Sequence, residues 1–125
     1  MSYPSYDRTF AQYQERAART GGSDLLPANR DKGLNCAALG LCGESGEFAD
    51  LVKKIQHHRH ELNAERTEKL KKELGDVLWY VAHACNVMGW EMSDVADMNI
   101  AKLVARYPQG FTTADSLAKA DEASR

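Results

Sequence analysis

Gly43-Glu44-Ser45-Gly46-Glu47-Phe48-Ala49-Asp50 is the stretch whose reading decides the architecture. A second acidic pair answers it downstream, in Glu73-Leu74-Gly75-Asp76. Residues three apart share a helix face, so a helical reading points Glu44 and Glu47 the same way, and likewise Glu73 and Asp76. Four carboxylates from two facing helices make an oxygen-rich pocket suited to a hard divalent cation such as Mg2+. Like charges held that close repel, and burial adds to the cost, unless a metal or cationic side chains neutralise them. Both pairs adjoin core-type residues: Phe48 and Leu51 follow the first, Val77 and Leu78 the second. The reading is a metal site; the alternative is two solvated faces with salt-bridge partners.

Working outward, the first acidic pair lies in a long predicted helix from about Lys32 to His58. Leu34, Ala37, Ala38, Leu41, Phe48, Leu51, Val52 and Ile55 supply its apolar positions. Gly40, Gly43 and Gly46 each cost about 1 kcal/mol against alanine inside a helix. Their spacing is read as room for close approach by another backbone or a ligand. Gln56-His57-His58-Arg59-His60-Glu61-Leu62-Asn63 reads as a polar helix end and connector, where cationic side chains suit a helix C-terminus. The second pair lies in a helix predicted from about Ala64 to Met88, closed by Gly89. Its apolar positions are Leu70, Leu74, Val77, Leu78, Val81, Ala82 and Cys85.

Two flanking helices complete the set. One runs from about Ser5 to Arg19, with Tyr6, Phe10, Tyr13 and Ala17 as a core-facing stripe, and ends at Gly21-Gly22. The other begins near Ser93, read as its N-cap, and stops at Tyr107-Pro108-Gln109-Gly110-Phe111. The residues after Thr112 read as a polar tail, mobile or a frayed helix. No alternating apolar pattern suits a strand, so the class is all-α, a four-to-five-helix bundle in a single domain over residues 1–112 with a tail over 113–125.

The chain has 125 residues, 43% hydrophobic and 27% charged, with a formal charge of −2. That balance exerts no general pull towards nucleic acid or acidic membranes. No apolar run approaches the roughly 20 residues that span a bilayer, and the N-terminus has no signal-peptide pattern. Cys36, Cys42 and Cys85 form no CxxC and are read as buried reduced thiols. The expected location is cytoplasmic.

A metal held by carboxylates keeps water and takes phosphate oxygens as remaining ligands. Lys53, Lys54, Lys102 and Arg106 are the bases that could hold phosphate charge, arginine in bidentate fashion. These parts fit metal-assisted phosphoanhydride hydrolysis, in which water attacks phosphorus and a carboxylate accepts its proton. There is no GxxxxGK[ST] phosphate loop, no GxGxxG and no GxSxG.

The ordered set Gly-Glu-Ser-Gly-Glu-Phe-Ala-Asp with Lys53-Lys54, then Lys72-Glu73-Leu74-Gly75-Asp76-Val77-Leu78-Trp79-Tyr80, then Asn99-Ile100-Ala101-Lys102-Leu103 with Arg106-Tyr107-Pro108-Gln109-Gly110-Phe111, resembles the MazG-like nucleoside triphosphate pyrophosphohydrolases. These belong to the all-α NTP pyrophosphatase superfamily. The resemblance covers roughly Leu34 to Phe111, and its Arg-Tyr-Pro-x-Gly-Phe ending favours the MazG-like branch over the phosphoribosyl-ATP branch. It implies cleavage of a (deoxy)nucleoside triphosphate between the α and β phosphates, giving monophosphate and pyrophosphate, in pool control or sanitation. It also implies that Glu44, Glu47, Glu73 and Asp76 are ligands of Mg2+ (with Mn2+ as a substitute); Glu47 or Glu44 is our own choice of residue to assist deprotonation of the water. Lys54 or Lys53, with Asn99, Lys102, Arg106 and Tyr107, matches positions at the phosphates or nucleotide. Phe10, Asn35, Leu39 and Trp79 are candidates for the base pocket. The family pairs subunits, so a homodimer or homotetramer is expected, which suits a chain with a thin core.

Two other readings stand beside this one: a helical dimerisation or adaptor module without activity, and a pyrophosphohydrolase for a related substrate, such as dUTP alone, phosphoribosyl-ATP or a non-nucleotide diphosphate.

Overall fold

A computed structural model describes residues 8–123, with side chains as far as residue 119. It is all-α: α1 (Phe10–Ala18), α2 (Arg30–His57), α3 (Ala64–Met88), α4 (Met92–Arg106) and α5 (Thr113–Ala123), with no strand among the described residues. Two short 3-10 turns, Gly22–Leu25 and Pro27–Asn29, join α1 to α2. The chain divides into two compact units, one ending at Met92 and the other starting at Ser93.

In the first unit, local chemistry sets most helix boundaries. The Thr9 hydroxyl accepts from the Gln12 N–H at 3.2 Å and starts α1. The Asn63 side chain accepts from the Arg66 N–H at 2.9 Å and starts α3. Gly89, at φ +72, ends α3 in the left-handed region, and its N–H and that of Trp90 both turn back to the Cys85 carbonyl. At the end of α2, the N–H groups of His58 and His60 both reach the Lys54 carbonyl, with Arg59 at φ +58 between them. The expected polar connector is therefore a closed turn.

The α2–α3 pair is antiparallel, and one seam carries it. Gly33 faces Val87, Cys36 faces His83, Gly40 faces Tyr80, and Glu44 faces Glu73 and Asp76. Residue numbers fall on α3 as they rise on α2, at three- and four-residue steps, the spacing that keeps a stripe on one side of a helix. Beside this seam, Ala17, Ala82, Cys85 and Met92 form the core, with Tyr13, Trp79 and Val81 packed against it. Gln14 ties α1 to the α3–α4 junction. Its side-chain amide donates to the Trp90 carbonyl, its Oε1 accepts from the Met92 N–H (2.7 Å each), and its own carbonyl accepts from Asn86.

Several expectations are corrected. Helix α4 starts at Met92, so Ser93 lies inside its first turn and is not the cap. The Met92 N–H finds its acceptor in Gln14, a partner 78 residues away that no local pattern announces. Of the three cysteines, all free, Cys85 is buried but Cys36 and Cys42 are exposed. The buried residues of α2 are small, Gly33 and Ala37, so this helix turns much of its surface outward. Leu34, Leu74 and Leu78, read as core positions, are 37%, 50% and 38% exposed. In the α1 stripe, Tyr13 and Ala17 reach the core, Phe10 stays exposed, and Tyr6 lies outside the described residues.

The second unit holds most of α4 and all of α5. The Thr112 hydroxyl accepts from the Asp115 N–H at 3.0 Å and starts α5, so the polar tail is helical over Thr113–Ala123. Between the helices, Gly110 takes φ +86, and the Tyr107 and Phe111 rings lie 5.2 Å apart.

Candidate active site

Three of the four anticipated carboxylates converge. Glu44 on α2 and Glu73 and Asp76 on α3 each present an oxygen, all within 4.8 Å of one another. Glu44 and Glu73 are half-buried and Asp76 is exposed, so the cage opens to solvent on one side. No ion pair among the described residues joins a base to any of the three. The uncompensated charge shows in Glu44: desolvation pushes its carboxyl above the usual glutamate value, and Asp76, a hydrogen-bonding contact and charge from Glu73, and Glu47 all push it the same way. Carboxylates that crowd until one holds its proton more tightly form a donor set that a hard divalent cation would relieve.

Glu47 stands outside the closest group. It is exposed, one turn along α2, and acts on Glu44 through its charge. Asp50, another turn along, is bound by both neighbouring lysines, Lys53 Nζ at 3.0 Å and Lys54 Nζ at 2.7 Å. The hydrogen bonds from Lys54 and then Lys53 bring the Asp50 carboxyl down to about 2. Lys54 also lies within electrostatic reach of Glu47.

Asn99, Lys102 and Arg106 lie on α4 at three- and four-residue steps, so they share one side of that helix, and Tyr107 follows its last turn. Asn99 and Lys102 are exposed, whereas Arg106 and Tyr107 are half-buried. These four belong to the second unit and the acidic cage to the first.

The glycine reading is resolved position by position. A Cβ on Gly40 would run into the ring of Tyr80, so close approach is real there. At Gly43, Gly46 and Gly75 an added Cβ would meet no heavy atom within 4 Å among the described residues, which leaves open space beside the carboxylates. Of the base-pocket candidates, Phe10, Asn35 and Leu39 are exposed. Trp79 is engaged internally, its indole N–H donating to the Thr20 hydroxyl at 2.9 Å and its ring stacking on His83. His83 itself was missed. It is 1% exposed and sits 3.0 Å from Asp24. On α3 it is four residues after Trp79, a spacing that hints at shared packing, but Asp24 lies in a loop with no motif.

The sequence matches the model of the MazG nucleotide pyrophosphohydrolase domain over residues 34–111, more than half of the chain. It is also similar to Gene 37 protein of Mycobacterium phage L5, at 40% identity over 80 residues, covering 63% of this chain and 70% of the phage protein. No solved structure matches. No helix among the described residues is long and apolar enough to cross a membrane.

Proposed function

The chain belongs to the MazG nucleotide pyrophosphohydrolase family, and from that premise we propose that it is a Mg2+-dependent enzyme cleaving nucleoside triphosphates between the α and β phosphates to a monophosphate and pyrophosphate. The observation that carries this reading is the cage of Glu44, Glu73 and Asp76, three oxygen donors within 4.8 Å and without an ion-pair partner among the described residues. Those residues, with Glu47, would hold the metal. When bound, the metal supplies charge neutralisation at the phosphoryl oxygens.

The chain's own side chains do the rest. Glu44 and Glu47, one turn apart on α2, are the two candidates for taking the proton of the attacking water. Lys54 is held by Asp50 beside Glu47, positioned to meet phosphate charge once that ion pair opens. Asn99, Lys102, Arg106 and Tyr107 are assigned to the phosphates and nucleotide, with Arg106 offering a planar, bidentate fork. Exposed apolar residues on α2 and α3, among them Leu39 at 66%, support a homo-oligomer in which a second subunit covers them.

The test is pyrophosphate release from a panel of ribo- and deoxynucleoside triphosphates, including dUTP and oxidised or methylated bases, with Mg2+, with Mn2+ and with EDTA. Metal-dependent formation of monophosphate and pyrophosphate is expected, and the substrate ranking gives the base and sugar preference. Folded protein that is silent across the panel would replace the enzyme with a helical binding module.

A further inference from the structure

Away from the carboxylate cage, a second group of ligand atoms converges on the α2–α3 seam, and its chemistry is different. Asp24 from the first 3-10 turn, Cys36 from α2 and His83 from α3 each present one ligand atom, all within 4.8 Å of one another. The His83 imidazole is fixed: it stacks on Trp79 at 4.6 Å and 16°, and meets the edge of Tyr80 at 6.5 Å and 85°. Its Nε2 faces Asp24 Oδ2 at 3.0 Å, while Nδ1 is buried without a hydrogen-bond partner among the described residues. The Cys36 sulfur lies within 4.8 Å of the same carboxylate. Asp24 thus lies beside both an imidazole nitrogen and a thiol.

A sulfur, a nitrogen and an oxygen donor from three separate elements are the ligand set of a borderline-soft ion, whereas the Glu44 cage offers oxygen alone. We infer that Asp24, Cys36 and His83 form a Zn2+ site, separate from the carboxylate cage, with the fourth position open on the exposed side of Cys36. Bonds of about 2.0–2.3 Å set the ligand atoms of a tetrahedral site roughly 3–4 Å apart, so atoms within 4.8 Å of one another need a small closure at most. The exposed Cys36 side chain can supply it by rotation, while the buried imidazole is held by its ring contacts. Cys36 precedes Glu44 by two turns, about 12 Å along α2, so one ion cannot serve both groups. Binding joins the connector before α2 to both seam helices.

Two features set the affinity below that of a structural zinc finger. The Nδ1–H of a metal-bound His83 finds no acceptor among the described residues, and such outer partners are worth about 10- to 100-fold in affinity. Lys32 also lies within electrostatic reach of Asp24 and Cys36 and opposes a cation. The nucleophilic alternative fails on charge: a carboxylate lies beside the thiol, and desolvation of its sulfur, then Asp24, raises it above the usual value.

The test is titration of the full chain, stripped with a chelator and held in excess Mg2+, with Co2+ as a spectroscopic stand-in. A near-ultraviolet thiolate-to-cobalt band with tetrahedral visible bands is expected, displaced by stoichiometric Zn2+. Cys36→Ser, at an exposed position where folding is not at stake, should abolish the thiolate band and weaken Zn2+ binding by at least about tenfold. Asp76→Asn should leave the band intact, and Lys32→Gln should tighten binding. Absence of a thiolate band, or a band that survives in Cys36→Ser, overturns the assignment.

Discussion

Gly40 is the position where the seam tolerates no side chain, and Gly40→Ala is the sharpest test of the packing. An added Cβ would overlap Cε1 and Cζ of Tyr80 and lie 2.6 Å from Cδ1. The ring cannot simply swing away, because it packs edge-on against Trp79 at 5.0 Å and near His83. Overpacking of this kind costs about 1–3 kcal/mol. Against it stands the gain from removing a helix-interior glycine, about 1 kcal/mol. The expected net loss is about 0–2 kcal/mol, centred near 1. At Gly43, three residues on, the same substitution meets open space, so only the propensity term acts and a gain of about 0.5–1 kcal/mol is expected. The two variants should therefore differ by about 2 kcal/mol, or about 8 °C in Tm for a chain of this size. Urea denaturation read by circular dichroism measures the difference, with m-values checked for constancy. A double-mutant cycle supplies the control: in a Tyr80→Ala background the cost of Gly40→Ala should vanish. If Gly40→Ala and Gly43→Ala shift stability alike, or the cost persists without Tyr80, the close approach of α3 to α2 at this point is wrong.

Two further outcomes are expected. Glu47→Ala or Asp76→Ala should abolish pyrophosphate release while leaving helicity by circular dichroism largely intact, since both side chains are exposed; near-normal turnover in either would end the metal-cage assignment. The raised Glu44 carboxyl makes the metal-free protein bind more protons folded than unfolded, so in EDTA stability should fall as pH rises from 4.5 through the folded value. Below pH 4 the slope should reverse, because Asp24 (through its hydrogen bond to His83) and Asp50 (through Lys54 and Lys53) are lowered and lose their contribution as pH falls. Saturating Mg2+ should raise the Tm and flatten the upper limb; a Tm profile indifferent to Mg2+ would count against an ion on Glu44.

How far the sequence could be read depended on how local the governing physics was. Helix α3 was legible at both ends because its signals are local: Asn63 can cap it and Gly89 can take a left-handed angle at little cost. The start of α4 was not, because its first N–H is satisfied by Gln14 on a distant helix rather than by Ser93 beside it. Spacing of three placed Glu44 with Glu47 and Glu73 with Asp76 on common faces. It could not say that Glu44 would sit closest to the opposite pair while Glu47 stood aside, since that depends on the register of two helices.

The acidic and basic residue types, their order and the all-α periodicity were fixed by the chain alone, through hydrophobic spacing and turn chemistry that act over a few residues. Only the tertiary structure decided which glycine is a contact and which is open space, and that Asp50 holds both lysines. It likewise decided that Asp24, Cys36 and His83 meet. Asp24 and His83 are 59 residues apart in the chain, and no pattern of spacing encodes an encounter made by packing two helices antiparallel.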